Sequence, residues 1–144
     1  MVEIVPFQRQ HLRAIHVQGA QEIDMAPLIS DPSYAEALEG LEHSWAAIDG
    51  DRVLACGGIV EEWHGVARAW MIIGKDIGSR FIHIHRAVLG FVKNCGYHRI
   101  EMSVAKGFDE GCRWAKMLGF EYEGTARAYT PDGHDCLKFA RVNL

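Results

Sequence analysis

The sequence predicts an α/β (α+β) fold: a mixed, mostly antiparallel central sheet with helices on both faces, in the order βααβββαβαββ. Three observations carry this. Turn dipeptides at Asp49-Gly50 and His64-Gly65 separate three consecutive strand-like runs. The apolar pattern then changes to helical spacing at Phe81, Ile84, Val88, Phe91 and Val92. Strand-like runs return on both sides of a second helical pattern, and a helix crossing between strands favours a mixed sheet covered on both faces.

Taken in order, residues 3–6 read as a short strand and 8–17 as a helix with Leu12 and Ile15 inward. Residues 19–30 are irregular. Asp31-Pro32 joins an N-cap residue to proline at the first helical position, opening a short helix that Gly40 closes. Residues 44–48, 52–62 and 67–73 form an antiparallel meander. The helix beginning near Phe81 is stopped by Gly96, and residues 99–104 form the next strand. Gly111, Trp114, Ala115 and Leu118 then fall at i, i+3, i+4 and i+7. Asp109 and Glu110 in that helix's first turn and Lys116 near its end suit the helix dipole, and Gly119 suits its C-terminal cap. Residues 120–128 and 136–142 are closing strands joined through Thr130-Pro131-Asp132-Gly133, which is turn chemistry.

Composition bounds what this fold does. A length of 144 residues fits one domain, residues 1–144. Hydrophobic residues at 49% and charged residues at 24% describe a globular chain. The net charge of -4 argues against a broad surface for nucleic acid or an anionic membrane, while leaving room for a local basic pocket. No apolar run approaches the roughly 20 residues of a membrane-spanning helix, and the N-terminus does not read as a signal peptide. The expectation is a soluble, cytoplasmic protein. Cys56, Cys95, Cys112 and Cys136 are widely spaced without a C-x-x-C pair and read as reduced thiols. His83 and His85, two apart on a helix, diverge and suit no shared metal, so none is expected. Trp45, Trp63 and Trp70 read as core residues; if exposed, they are candidates for an interface such as a homodimer's.

The run Trp114-Ala115-Lys116-Met117-Leu118-Gly119-Phe120, continued by Tyr122, Gly124, Arg127, Tyr129 and the Asp132-Gly133 turn, resembles the GNAT superfamily of N-acetyltransferases, whose last helix ends in Leu-Gly-Phe. This part is similar to the branch that acetylates ribosomal-protein N-termini. The central stretch Leu54-Ala55-Cys56-Gly57-Gly58, with Trp63, Gly65, Ala69 and Trp70, looks more like the divergent GNAT-like proteins of tailed bacteriophages. The resemblance implies acetyl-CoA as co-substrate, held between two splayed parallel strands, here residues 67–73 and 99–104. Its pantetheine arm would lie like an inserted strand, its pyrophosphate against the following helix. The implied contacts are Met71, Ile72, Ile73 and Gly74 on the strand, where a backbone N–H would meet the thioester oxygen, and Gly78, Ser79 and Arg80 in the turn.

Departures from the family pattern are specific. Its glycine-rich turn falls on Asp76-Ile77-Gly78-Ser79-Arg80-Phe81, where Asp76 repels phosphate and Lys75 and Arg80 attract it. The tyrosine that usually protonates the leaving thiolate aligns with Ala115, and its asparagine partner with Phe108. Acyl transfer needs a neutral amine, a donor for the thioester oxygen and a proton for the thiolate. Glu101 and Ser103 share a strand face, and Ser103 aligns where some relatives carry a catalytic glutamate; Glu101 and Ser103 are the base candidates, alongside Glu61 and Glu62. Tyr129 or Tyr122 are the candidate acids. Two functions stay open: an N-acetyltransferase acting on an amine, including one on a host protein, and a degenerate domain that binds a partner protein, or CoA without turnover, in a phage setting. Substrate choice would come from residues 19–30 and 130–134.

Overall fold

The turn signals place the strands where the hydrogen bonds put them. The computed structural model describes residues 1–15 and 32–143. Its elements are β1 (Glu3–Pro6), α1 (Gln10–Ala14), α2 (Pro32–Glu39), β2 (Ser44–Asp49), β3 (Arg52–Trp63), β4 (Val66–Ile73), a 3-10 turn (Gly78–Arg80), α3 (Phe81–Asn94), β5 (Arg99–Ala105), α4 (Asp109–Met117), β6 (Glu121–Ala126) and β7 (Cys136–Val142). The seven strands lie in the order β1-β2-β3-β4-β5-β7-β6, antiparallel throughout except for parallel β4 and β5. This is the mixed, mostly antiparallel sheet that the sequence predicts.

Two cores cover the two sheet faces. Ala47, Ala55, Ala67, Ile73, Ile100 and Val104 pack with Ile84 and Val92 of α3 and with Trp114, Ala115 and Leu118 of α4. On the other face Ala46, Cys56 and Ile72 pack with Leu12, Ile15, Ala35 and Leu38, from the region of α1 and α2. Strand alternation assigns the sides: in β4, Ala67, Ala69, Met71 and Ile73 face α3 and α4, whereas Trp70 and Ile72 face away.

The end of α4 explains the Leu-Gly-Phe run. Gly119 takes φ +86, its N–H bonds the Lys116 carbonyl, and the Phe120 N–H reaches back to the Ala115 carbonyl, each at 3.0 Å. That double bond pattern is the Schellman motif, and it leaves Leu118 and Phe120 buried on either side of the glycine.

Several expectations shift. The first helix is shorter than residues 8–17, although Leu12 and Ile15 are buried as expected. β6 stops at Ala126, because Ala128 sits at φ +51 and gives its N–H to Asp135 Oδ1. Trp63 is not core: it is 72% exposed, at the end of β3 where Glu61 and Glu62 are also exposed. Trp45 and Trp70 are half-buried and pack on the two cores. The expected Asp31 cap and the irregular residues 19–30 lie outside the described residues. All four cysteines are free. Among the described residues no helix is long and apolar enough to cross a membrane.

Candidate active site

β4 and β5 run side by side for only three rungs, Val66 with Arg99, Ala67 with Ile100 and Arg68 with Glu101. Beyond Arg68 and Glu101 the two strands diverge, while β4 stays laddered to β3 as far as Ile73 and β5 to β7 as far as Ala105. The gap opens into a cavity of about 450 Å³ beneath α3 and α4. Ala69, Met71 and Ile73 form one wall, Met102 and Val104 the other, and Phe81 and Trp114 lie above. Trp70 and Ser103, whose side chains belong to the opposite sheet face, also border it, so the cleft passes between the parted strands. Trp114 is a wall and leaves the gap open.

The turn ahead of α3 stands at one end of this cleft. Gly78 borders the cavity with φ +53, a conformation that glycine adopts without strain. Ser79 is exposed, and the Gly74 N–H is taken by the Leu54 carbonyl at 2.7 Å. Arg80 folds back over its own turn. Its Nη1 meets Asp49 Oδ2 at 2.9 Å, Nη2 the Asp76 carbonyl at 2.6 Å and Nε the Ile77 carbonyl at 3.3 Å. The Arg80 guanidinium, helped by the N-terminal ammonium, holds the Asp49 carboxyl below the usual carboxylate range. Of the two cations expected to draw phosphate, Arg80 is thus committed to the protein and Lys75 stands exposed.

On the opposite sheet face, Glu101 sits at the last rung before the strands part, and Ser103 two residues into the gap. Arg99 Nε donates to Glu101 Oε1 at 2.8 Å, and the same guanidinium grips both carboxylate oxygens of Glu123, lowering that carboxyl's pKa. Ser103 Oγ accepts a hydrogen bond from Lys138 Nζ at 2.8 Å, and that ammonium lies 4.6 Å from the centre of the Tyr129 ring. The turn that carries Tyr129 is fixed by its own bonds, Tyr129 N–H to the His134 carbonyl at 2.8 Å and His134 N–H to Thr130 Oγ1 at 2.9 Å. The structure therefore places Ser103 on the cleft; Glu101, two residues before it on the same strand face, and Tyr129, reached through Lys138, do not border the cavity.

Other candidates fall elsewhere. Glu61 and Glu62 lie at the laddered end of β4, and Glu62 pairs with Arg68 at 3.1 Å. Tyr122 is exposed, hydrogen-bonded with Thr125 Oγ1 at 2.7 Å and edge-on to Phe139. Met71, Ile73 and Gly78 border the cavity; Ile72 turns its side chain into the α1–α2 core, and Gly74, Ser79 and Arg80 lie outside the lining. Ala115 is fully buried, and Phe108 packs on Gly111 so tightly that an added methyl there would sit 2.6 Å from its ring. On the α4 stripe Trp114, Ala115 and Leu118 belong to the core, and Gly111, Trp114 and Leu118 also border the cavity. Among the described residues no cluster of three or more His, Cys, Asp or Glu stands ready for a metal.

Sequence reasoning missed Lys138 and Arg99. The available signal was a single charged residue inside the apolar run Leu137-Lys138-Phe139, at even spacing from Cys136 and Ala140.

No family model and no curated protein sequence matches the chain. Solved structures do. An N-acetyltransferase from Staphylococcus aureus Mu50 superposes with a TM-score of 0.71 at 10% identity, over 99% of this chain and 98% of that one. Ard1 from Thermoplasma volcanium gives 0.72 at 16%, over 99% and 98%. The ribosomal-protein-S18-alanine N-acetyltransferase from Escherichia coli gives 0.71 at 14%, over 99% and 94%. A further neighbour is described as a GNAT-family acetyltransferase from Bacillus anthracis. Likeness across whole chains at such low identity establishes the fold: it is the GNAT fold.

Proposed function

We propose that this chain is an N-acetyltransferase that moves an acetyl group from acetyl-CoA to an amine, including amines carried on proteins. The observation that carries the reading is the parting of β4 from β5 after three rungs around an open, apolar cleft. Such a gap suits a pantetheine arm, which has amide groups for strand edges and methylenes for apolar walls. The fold's solved neighbours are named as acetyltransferases, which supports the class.

In this reading the thioester lies along Met71, Ile72 and Ile73, where a backbone N–H stabilises the developing oxyanion. The amine approaches from the Ser103 side, its nitrogen bonds to the carbonyl carbon and the C–S bond breaks. The amine sheds its proton to water or Glu101, and the departing thiolate takes one from water. Arg99 already occupies one of the Glu101 oxygens, which leaves the other to face the amine. Ala115 has no proton to give; Ser103 is the one hydroxyl among the described residues bordering the cleft. The turn at Gly78 and Ser79 offers amides for the pyrophosphate, with Lys75 an exposed cation nearby.

A second reading is favoured by Arg80 and Ala115. With the arginine tied to Asp49 and the acid missing, a domain that binds CoA or a partner protein without turnover fits the same fold, as in a phage protein directed at a host. Calorimetry with acetyl-CoA followed by thiol release with a panel of amines separates the two. Micromolar binding with thiol release supports acetyl transfer; binding with no release on any amine supports the second reading. Absence of binding at millimolar acetyl-CoA eliminates the enzyme.

A further inference from the structure

Lys138 stands out among the charges on the acceptor side. Its ammonium is half-buried and donates one hydrogen bond, to Ser103 Oγ, an atom of a residue that borders the cleft. The Tyr129 ring covers another side. No carboxylate among the described residues lies within ion-pair distance of it. Of the acids on the neighbouring strands, Glu101 and Glu123 share Arg99, and Glu121 lies at the far end of β6, opposite Ala140. The Lys138 ammonium thus keeps donor capacity to spare beside the parted strands.

Resting on the acetyl-transfer reading, we propose that Lys138 recognises a carboxylate carried by the acceptor, so that the preferred amines bear an anionic group close to the nucleophilic nitrogen. An ammonium without a counter-ion gains more from a charge-assisted bond than from a neutral acceptor. The same charge disfavours polycationic amines, which would bring like charge to a half-buried site. Ser103 fixes the direction of the ammonium, and the hydrogen-bonded turn around residues 129–134 fixes the ring beneath it.

The test uses the whole chain and two probes that need no turnover, N-acetyl-alanine and N-acetyl-alanine amide, titrated by NMR in the presence of CoA. The carboxylate is expected to bind about tenfold more tightly than the amide, the scale of one charge-assisted bond. Lys138→Met should erase the difference and Lys138→Arg should keep it, with thermal unfolding confirming that both variants fold. Equal binding of the two probes, no binding of either, or a preference that survives Lys138→Met overturns the proposal. A parallel thiol-release assay with alanine and alanine amide reports on acetyl transfer separately. Carboxylate preference without thiol release leaves the anion site standing and finds no acetyl transfer to these two amines; thiol release without preference overturns the anion site and leaves acetyl transfer standing.

Discussion

The indole N–H of Trp114 donates to Nδ1 of His85 across 2.9 Å, tying α4 to α3 beside the cleft. Phe81 completes the contact, stacked on His85 at 5.8 Å and edge-on to Trp114 at 5.1 Å. Accepting at Nδ1 places the neutral imidazole's own proton on Nε2. The bond adds a polar tie to the apolar packing of Ile84 and Val92 against Trp114 and Leu118. Trp114→Phe keeps an aromatic wall and loses the bond, and should cost about 1 kcal/mol in urea unfolding. Trp114→Ala also removes the packing and should cost about 3 to 5 kcal/mol. Equal costs for the two variants would show that the hydrogen bond contributes nothing.

Gly119 is the second fixed point of α4. Alanine there must hold φ +86, and its methyl would sit 2.0 Å from Arg141 Nη1. The guanidinium can swing away, but it then leaves the Leu118 carbonyl that it caps at 2.7 Å. Gly119→Ala should therefore destabilise by about 2 kcal/mol, roughly half from the left-handed backbone and half from the lost cap. In an Arg141→Met background the penalty should shrink toward the backbone part alone, which denaturant titration of the double variant measures.

The fold was legible because its signals are local. Gly50, Gly65, Gly96 and Gly119 all take positive φ at the ends of elements, where a glycine in a turn or helix-stop pattern predicts it. The parting of the strands followed from the family resemblance, and the register of β4 against β5 supplies its length. The side chains around it were harder to read. Lys138 meets Ser103 across a β5–β7 ladder 35 residues apart, and Arg99 meets Glu123 across 24. No periodicity encodes such pairs. Arg80 misled for the opposite reason: a basic residue in a phosphate-type turn looks available, and only the fold shows that β2 delivers Asp49 to it.

Arg99 makes a pH prediction. Its hydrogen bonds hold the Glu123 carboxyl below its ordinary value of 4.5. A carboxylate with a depressed folded pKa stabilises above the unfolded value, and that contribution is lost as pH falls through the depressed one. Arg99→Met should therefore be less stable than the parent at pH 6, with the gap closing as pH falls well below 4.5. Because Glu123 is largely exposed, the difference should also shrink in high salt. Urea midpoints at the two pH values, with and without added salt, check it; a gap that persists unchanged in acid would assign the loss to packing.

Cys56 acts at the other end of the pH scale. It is buried in the α1–α2 core and its thiol is pushed up to about 12 by desolvation, from an ordinary 9.0. Folding thus keeps this proton on, while the unfolded chain releases it near pH 9. The contribution is complete below that value and declines as pH rises toward the folded one. Stability should fall progressively above pH 9, and Cys56→Ala should flatten that decline while costing some packing at neutral pH. Alkylation gives an independent reading. In the native state at pH 8 the half-buried Cys95 and Cys112 should react before Cys56 and Cys136, since a buried thiol offers neither access nor thiolate. Mass spectrometry of the alkylated peptides reads that order. Early labelling of Cys56 would mean that the sheet face beneath α1 and α2 opens readily, and that the α1–α2 layer is only weakly held to it.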